Sequence, residues 1–343
     1  MRTIVTGGAG FIGSHVAAYL RRLGHEVLVI DDLSGGFREN IPKGVDFLHT
    51  SVNSDLTEDF RSFKPDYVYH LAAYAAEGLS HHIPQFNYTN NVLGTISVLN
   101  AAYKSGAKHF VFTSSIAAYG HPHGDDPFDE DTPCIPCDPY GTAKLACEYH
   151  LKSFNDYFGA MNYTIFRPHN VFGPNQNIAD PYRNVVGIFM AKAIQGLPMP
   201  VFGDGTQTRS FSYINVVAES IALAPFIKEA VNETFNIGGD EPMSVKELAV
   251  KISDIFDVPL NIQQMPARKE VTHAHCKHDK ARDIFKDIYK EAIDINKGLQ
   301  LMADTVRNKP IPPVTECPAD IEIFENLPGS WASRLSQGLN KNS

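Results

Sequence analysis

The sequence predicts an α/β fold, a doubly wound parallel sheet with a smaller second lobe after it. Three observations carry this. Apolar runs at 2–6, 27–31, 45–49, 67–71, 109–113 and 163–167 alternate with amphipathic stretches of helix length. A glycine-rich turn follows the first run directly. Beyond about residue 167 the texture changes to loops rich in Pro and Gly. At 343 residues, 43% hydrophobic and 20% charged, the chain can bury a sizeable core and shows no disordered or fibrous bias.

The first strand leads into Gly7-Gly8-Ala9-Gly10-Phe11-Ile12-Gly13, and a helix over 14–23 is expected after it. The second strand ends on Asp31. Helices are predicted over 88–105 and 140–158, from apolar residues at helical spacing and from Gly106 and Gly159 at C-cap positions. No internal repeat is visible. After Pro168 come Gly173-Pro174, Pro181, Gly196, Pro198, Pro200 and Gly203-Asp204-Gly205, the expected start of the second lobe. Segments 210–230 and 233–238 read as a helix and a strand that return to the first sheet. The expected division is therefore 1–167 plus about 209–238 as one domain, and 168–208 plus 239–343 as the other. Pro310, Pro312, Pro313, Pro318 and Pro328 predict an extended tail on the surface.

A net charge of −9, without a basic run, argues against a nucleic-acid partner. No window approaches the about 18 apolar residues of a membrane helix, and the N-terminus enters a strand without the features of a signal peptide. Five cysteines, an odd number, suit a reducing compartment, so a cytoplasmic location is expected. Cys134 and Cys137 sit in a Pro-punctuated loop with no second pair, and His273, His275, Cys276 and His278 read as an exposed polar strand. No metal site is expected.

The turn at Gly7, Gly10 and Gly13 stands where a dinucleotide fingerprint must, after a strand and at the start of a helix. Glycines there permit close backbone approach, and the helix N-terminus offers N–H groups to a pyrophosphate. Asp31, 18 residues after Gly13, can accept from both ribose hydroxyls and would repel a 2′-phosphate, which favours NAD over NADP. Arg38 lies too far along the loop to reverse that choice. Tyr140 and Lys144, four apart, share one helix face. A phenol titrates near ~10, and an adjacent ammonium would bring it into a useful range for a base. Ser115 closes the fifth strand, at the carboxyl edge where such sheets bind ligands.

Beside these stand Thr113-Ser114-Ser115-Ile116-Ala117-Ala118-Tyr119-Gly120, His70-Leu71-Ala72-Ala73, Asn90-Asn91-Val92-Leu93-Gly94-Thr95, Arg167-Pro168-His169-Asn170-Val171-Phe172-Gly173-Pro174 and Gly203 through Phe211. With this series the chain resembles the extended short-chain dehydrogenase/reductase family, of the nucleotide-sugar epimerase type, to about residue 300. The resemblance implies a Rossmann-type domain whose NAD runs along Gly7, Gly10, Phe11, Ile12, Gly13, Asp31, Asp32, Ser51, Val52, Leu71, Ala72, Ala73, Tyr74, Asn90, Ser114, Tyr140, Lys144 and His169. It implies that Asn170, Arg209 and Arg268 hold the diphosphate of a nucleotide sugar, with Val201 and Phe202 near its base. Forked guanidinium donors suit that anion.

Family members that dehydrate or decarboxylate carry an acid in the strand-five motif, where this chain has Ala117 and Ala118, and no Cys stands there either. The expectation is redox chemistry at C4: Tyr140, assisted by Ser115, takes the 4′-hydroxyl proton, a transient ketone turns over, and the opposite epimer forms. Ala274, or else the bulkier His275, would limit space beside the C2 substituent. Tyr74 through His82 departs from the family's pattern. Glu77 or His81 there reads the sugar ring or supplies a proton, or the segment is a solvated loop capped by Ser80. Family members pair through the helices corresponding to 88–105 and 140–158, which implies a homodimer.

Overall fold

The alternating runs form seven parallel strands: β1 (Arg2–Thr6), β2 (Glu26–Asp31), β3 (Asp46–His49), β4 (Tyr67–His70), β5 (His109–Thr113), β6 (Asn162–Pro168) and β7 (Glu233–Ile237). The structure, a computed structural model, describes residues 1–122, 127–239, 241–267, 273–314 and 317–328, with only the backbone at 273 and 274. The strand order is β7-β6-β5-β4-β1-β2-β3, so the chain reverses direction across the sheet between β1 and β4. Ligands bind at the carboxyl ends of strands at such a point.

Period-two alternation decides the two faces. Val5, Val29, Tyr69, Val111 and Phe166 pack on one side with helices α1 (Phe11–Arg22) and, after β6, Ile214–Leu223. Ile4, Ile30, Val68, Phe110 and Ile165 pack on the other with α2 (Gly94–Lys104) and α3 (Pro139–Phe158). A separate apolar cluster joins helices Val185–Gln195, Val245–Phe256 and Ile295–Val306. Short strands flank it: Met199–Phe202 beside Ile262–Met265, and Thr208–Ser210 between Pro242–Ser244 and His273–Ala274. Among the described residues no helix is long and apolar enough to cross a membrane.

Three expectations need correction. Helix α1 starts at Phe11 rather than 14, because Gly13 lies inside its first turn against the Gly7 carbonyl. The helix expected over 88–105 is broken into Pro84–Tyr88, a wide π turn at Thr89–Leu93, and α2. The cause is Asn91, whose side chain bonds Tyr74 N at 2.8 Å, Tyr74 O at 3.1 Å and Asn87 Oδ1 at 2.8 Å instead of serving a regular helix. The helix expected over 210–230 is confined to Ile214–Leu223, with Pro225 in the 3-10 turn that follows it.

Candidate active site

Asp31 organises the nucleotide end. Its carboxylate accepts from Ala9 N at 3.0 Å and Leu33 N at 2.8 Å, tying the glycine turn to the loop after β2. Burial pushes its pKa up, and those N–H bonds oppose the shift. Gly7, at φ +72°, packs so closely on the end of β4 that a Cβ would lie 2.6 Å from Ala72 N, and a Cβ on Gly13 would lie 2.1 Å from Gly7 O. Gly10 starts α1 with no side-chain cap, leaving room at the N–H end of the helix. This bare backbone cradle with an acid at the tip of β2 fits a dinucleotide without a 2′-phosphate. Arg38 stacks on the Phe47 ring at 5.0 Å, away from that task. Asp32 turns its Oδ1 onto Ser34, and Ser51 accepts from Asn53 N at 3.3 Å next to buried Val52.

Helix α3 carries Tyr140 in its first turn. Asp138 caps it by accepting Gly141 N at 2.8 Å, Pro139 follows, and Gly159 ends it at φ +62°. Gly141 has a specific purpose: a Cβ there would lie 2.3 Å from Ala117 O, so glycine alone lets α3 approach the turn after β5 that bears Ser115. Ser115, Tyr140 and Lys144 are all buried. Lys144 Nζ donates to Thr113 O at 2.8 Å and stands 5.8 Å over the Tyr140 ring. Burial, first, and Glu77 push the Tyr140 phenol up, while the Ser115 hydrogen bond and Arg183 oppose them. Burial brings Lys144 down to about 8.

A layer beneath holds these groups. Glu148, on α3, grips Arg167 of β6 through Nε at 2.9 Å and Nη2 at 2.6 Å, and accepts Ser114 Oγ at 2.5 Å. The Ser114 hydroxyl thus joins that pair, and Ser114 N donates to Phe166 O at 2.7 Å. His169 Nδ1 donates to Ser210 O at 2.9 Å, and its Nε2 lies 2.8 Å from Nε2 of His278. The exposed polar strand read at 273–278 is thus corrected, since Cys276 and His278 are buried. Among the described residues no group of His, Cys, Asp or Glu could hold a metal.

Of the remaining candidates, Leu71 N bonds Thr6 O at 3.1 Å and Ala72 abuts Gly7, which brings Leu71, Ala72 and Ala73 beside the glycine turn. Asn90 lies in the π turn and donates to Asn91. Tyr74 is not with them: its ring is buried against Leu79 and Ile83 with its hydroxyl 3.9 Å from Cys317 Sγ. Asn170, at φ +40°, follows β6, and Arg209 pairs backbone to backbone with Ala274. Val201 and Phe202 lie on the strand beside Gln264 and Met265. Arg268 and the Ala274 side chain lie outside the described residues. The sequence reading missed Arg183, which pairs with Asp180 at 3.0 Å, stands 5.1 Å over the Tyr74 ring and abuts Gly35. A lone Arg in a Pro-rich loop carries no signal of this.

The chain is similar to known proteins over most of its length. The UDP-glucose 4-epimerase of Mycolicibacterium smegmatis is 32% identical over 319 residues, covering 90% of this chain and 99% of that protein. The crystal structure of UDP-glucose 4-epimerase with UDP-glucose from Thermotoga maritima is similar with a TM-score of 0.84 at 33% identity, over 90% of this chain and 99% of that one. The UDP-glucose 4-epimerase of Thermus thermophilus in complex with NAD follows at 0.83 and 31%, with coverage of 90% and 99%. Residues 3–238 match the NAD dependent epimerase/dehydratase family, and the chain belongs to that family.

Proposed function

We propose that the protein is an isomerase, an NAD-dependent nucleotide-sugar 4-epimerase that works through a transient 4-keto sugar and takes a UDP-sugar: UDP-glucose and UDP-galactose, or their N-acetyl or uronate analogues. The observation that carries the reading is the buried trio of Tyr140, Lys144 and Ser115 at the end of β5, with only Ala117 and Ala118 where a dehydrating acid would stand. NAD, held by the glycine turn and Asp31, would supply a hydride acceptor and a cationic nicotinamide ring when bound.

Tyr140 is a phenol at neutral pH in the free protein, kept so by burial and Glu77. Lys144, whose Nζ stands 5.8 Å from the Tyr140 ring centroid, would favour the phenolate, and a bound nicotinamide cation would add to that. Ser115 shares the 4′-hydroxyl proton and orients it toward Tyr140 Oη. Asn170, Arg209 and Arg268 anchor the diphosphate while the sugar ring turns over, Val201 and Phe202 flank the base, and His169 borders the nicotinamide end through its backbone. Leu71 through Ala73, Asn90 and the glycine turn hold the dinucleotide in the same proposal, as do Asp32, Ser51 and Val52 near the adenosine. Ala274 or His275 sets the room beside C2. The catalytic groups and, His169 apart, the cofactor groups come from 1–167 plus about 209–238, and the sugar-nucleotide contacts mainly from 168–208 plus 239–343.

The test is proton NMR of UDP-glucose, UDP-N-acetylglucosamine and UDP-glucuronate, each incubated with the protein and NAD. Drift of one substrate to a mixture of C4 epimers without net NADH supports the reading. A stable ketone or a product of lower mass would sink it. Tyr140→Phe keeps the ring and removes the proton acceptor, so turnover should fall by about 10³-fold or more.

A homodimer and a cytoplasmic setting complete the proposal. Tyr88, Leu93, Tyr149, Tyr157 and Phe158, on or beside the two helices expected to pair, are exposed in the single chain. The odd count of thiols supports the reducing compartment.

A further inference from the structure

We propose that the C-terminal segment 317–327 is a strap that positions the catalytic tyrosine, with Glu322 acting through the loop 74–88; this rests on the epimerase reading above.

The strap lies outside the residues that match the family. It is nonetheless bonded to a segment that touches the catalytic helix. Both carboxylate oxygens of Glu322 are used: Oε2 accepts Gln85 N at 2.8 Å and Oε1 accepts Phe86 N at 2.9 Å, at the start of helix Pro84–Tyr88. Glu322 N and Ile323 N donate to His82 O at 2.8 and 3.2 Å, and His82 Nδ1 donates to Ile323 O at 2.8 Å. Under these bonds Cys317, Ala319, Ile321 and Leu327 cover buried Leu79 and Ile83.

The other side of the loop meets α3. Ser80 Oγ accepts Tyr140 N at 3.2 Å and donates to Glu77 O at 2.6 Å. Asn87 Nδ2 donates to Pro139 O at 2.9 Å, so the residue before Tyr140 is held as well. The strap therefore pins the loop from outside and the loop pins the start of α3 from inside. Without the strap, buried Leu79 and Ile83 would lose part of their apolar cover, and the hold of Ser80 and Asn87 on the start of α3 would loosen. The strap also sets where Glu77 stands. The groups that face Tyr140 are Glu77 from the loop, Asp138 from the helix start, Arg183 from the segment after Gly173, Ser115 from the end of β5 and Lys144 one turn along. Of these only Glu77 rides on the strapped loop, and its negative charge disfavours the phenolate.

Glu322 lies at the surface, so Glu322→Ala leaves the core intact. With the UDP-sugar that the wild-type protein epimerises, this variant should lose about tenfold in kcat, as for a lost helix cap felt at the reacting group, with a smaller change in KM. Freed from its place, Glu77 moves off Tyr140, and the acid limb of the kcat–pH profile shifts to lower pH. Glu77→Gln should shift the limb in the same direction with the strap intact, and Glu322→Gln, which keeps one accepting oxygen, should recover part of kcat. Wild-type kcat and pH profile in Glu322→Ala overturn the proposal; so does a fall in kcat with an unmoved acid limb, which would make the strap a stabilising element only. Amide hydrogen exchange separates a failure of this idea from a failure of the epimerase reading. Even if the wild-type protein epimerises nothing, faster exchange at 77–88 in Glu322→Ala supports the strap, and unchanged exchange overturns it.

Discussion

His169 and His278 face each other across 2.8 Å with both rings buried, and neither can be charged there at low cost. Burial, with each other's proximity, holds His169 down to about 3, and burial holds His278 down to about 4 against the pull of Glu130. Both folded values lie below the unfolded value of about 6.5, so the unfolded chain takes up protons first as pH falls. The pair thus contributes its full stability above about pH 6.5 and loses it as pH drops toward 4. His70 and His109 are depressed in the same way, to about 3 and about 4, so the comparison must be with a variant. The unfolding free energy, measured by thermal denaturation, should fall less steeply between pH 7.5 and 5 in His278→Gln than in the wild type, the difference adding up to about 2 kcal/mol over that window for the one proton removed. Equal slopes would mean that His278 does not titrate in this window. At this scale the placement of Tyr140, Lys144, Ser115 and Asp31 in buried positions was legible, because motif spacing sets where each sits on its helix or strand end. His278 was not, since its partner stands 109 residues away in the chain.

Glu148 and Arg167 join the catalytic helix to the strand beside Ser115, and their side chains are 1% and 4% exposed. Removing one charge of a pair this deep strands the other, which costs about 3–5 kcal/mol. Glu148→Gln should lower the unfolding free energy by about 3 kcal/mol in denaturant titration, with m unchanged. A loss below about 1 kcal/mol would show that the guanidinium finds water or another acceptor. The elements themselves were largely readable: β1 through β6 appear where alternation placed them, because each face of the sheet meets a different helix layer. The break at Thr89–Leu93 was not readable, because apolar spacing continues through it while Asn91 bonds a distant loop.

For the whole molecule, the exposed rings of Tyr149, Tyr157 and Phe158 on α3, with Tyr88 and Leu93 ahead of α2, predict a pairing surface. Tyr149 is 62% and Tyr157 83% exposed, more than a large aromatic gains from in water. Sedimentation equilibrium of the wild type should give a dimer, and Tyr149→Asp, which places a charge on that surface, should give a monomer with its fold retained. A wild-type monomer at micromolar concentration would refute the pairing. The individual strands, the glycine turn and the Tyr–Lys spacing follow from residues near one another in the chain, where backbone geometry alone fixes which side chains share a face. The Glu148–Arg167 and His169–His278 pairs, the Arg183 reach and the 317–327 strap join segments up to 243 residues apart, and no periodicity encodes such a contact. Only packing of the finished layers brings those side chains within bonding distance, and that is why tertiary structure decided them.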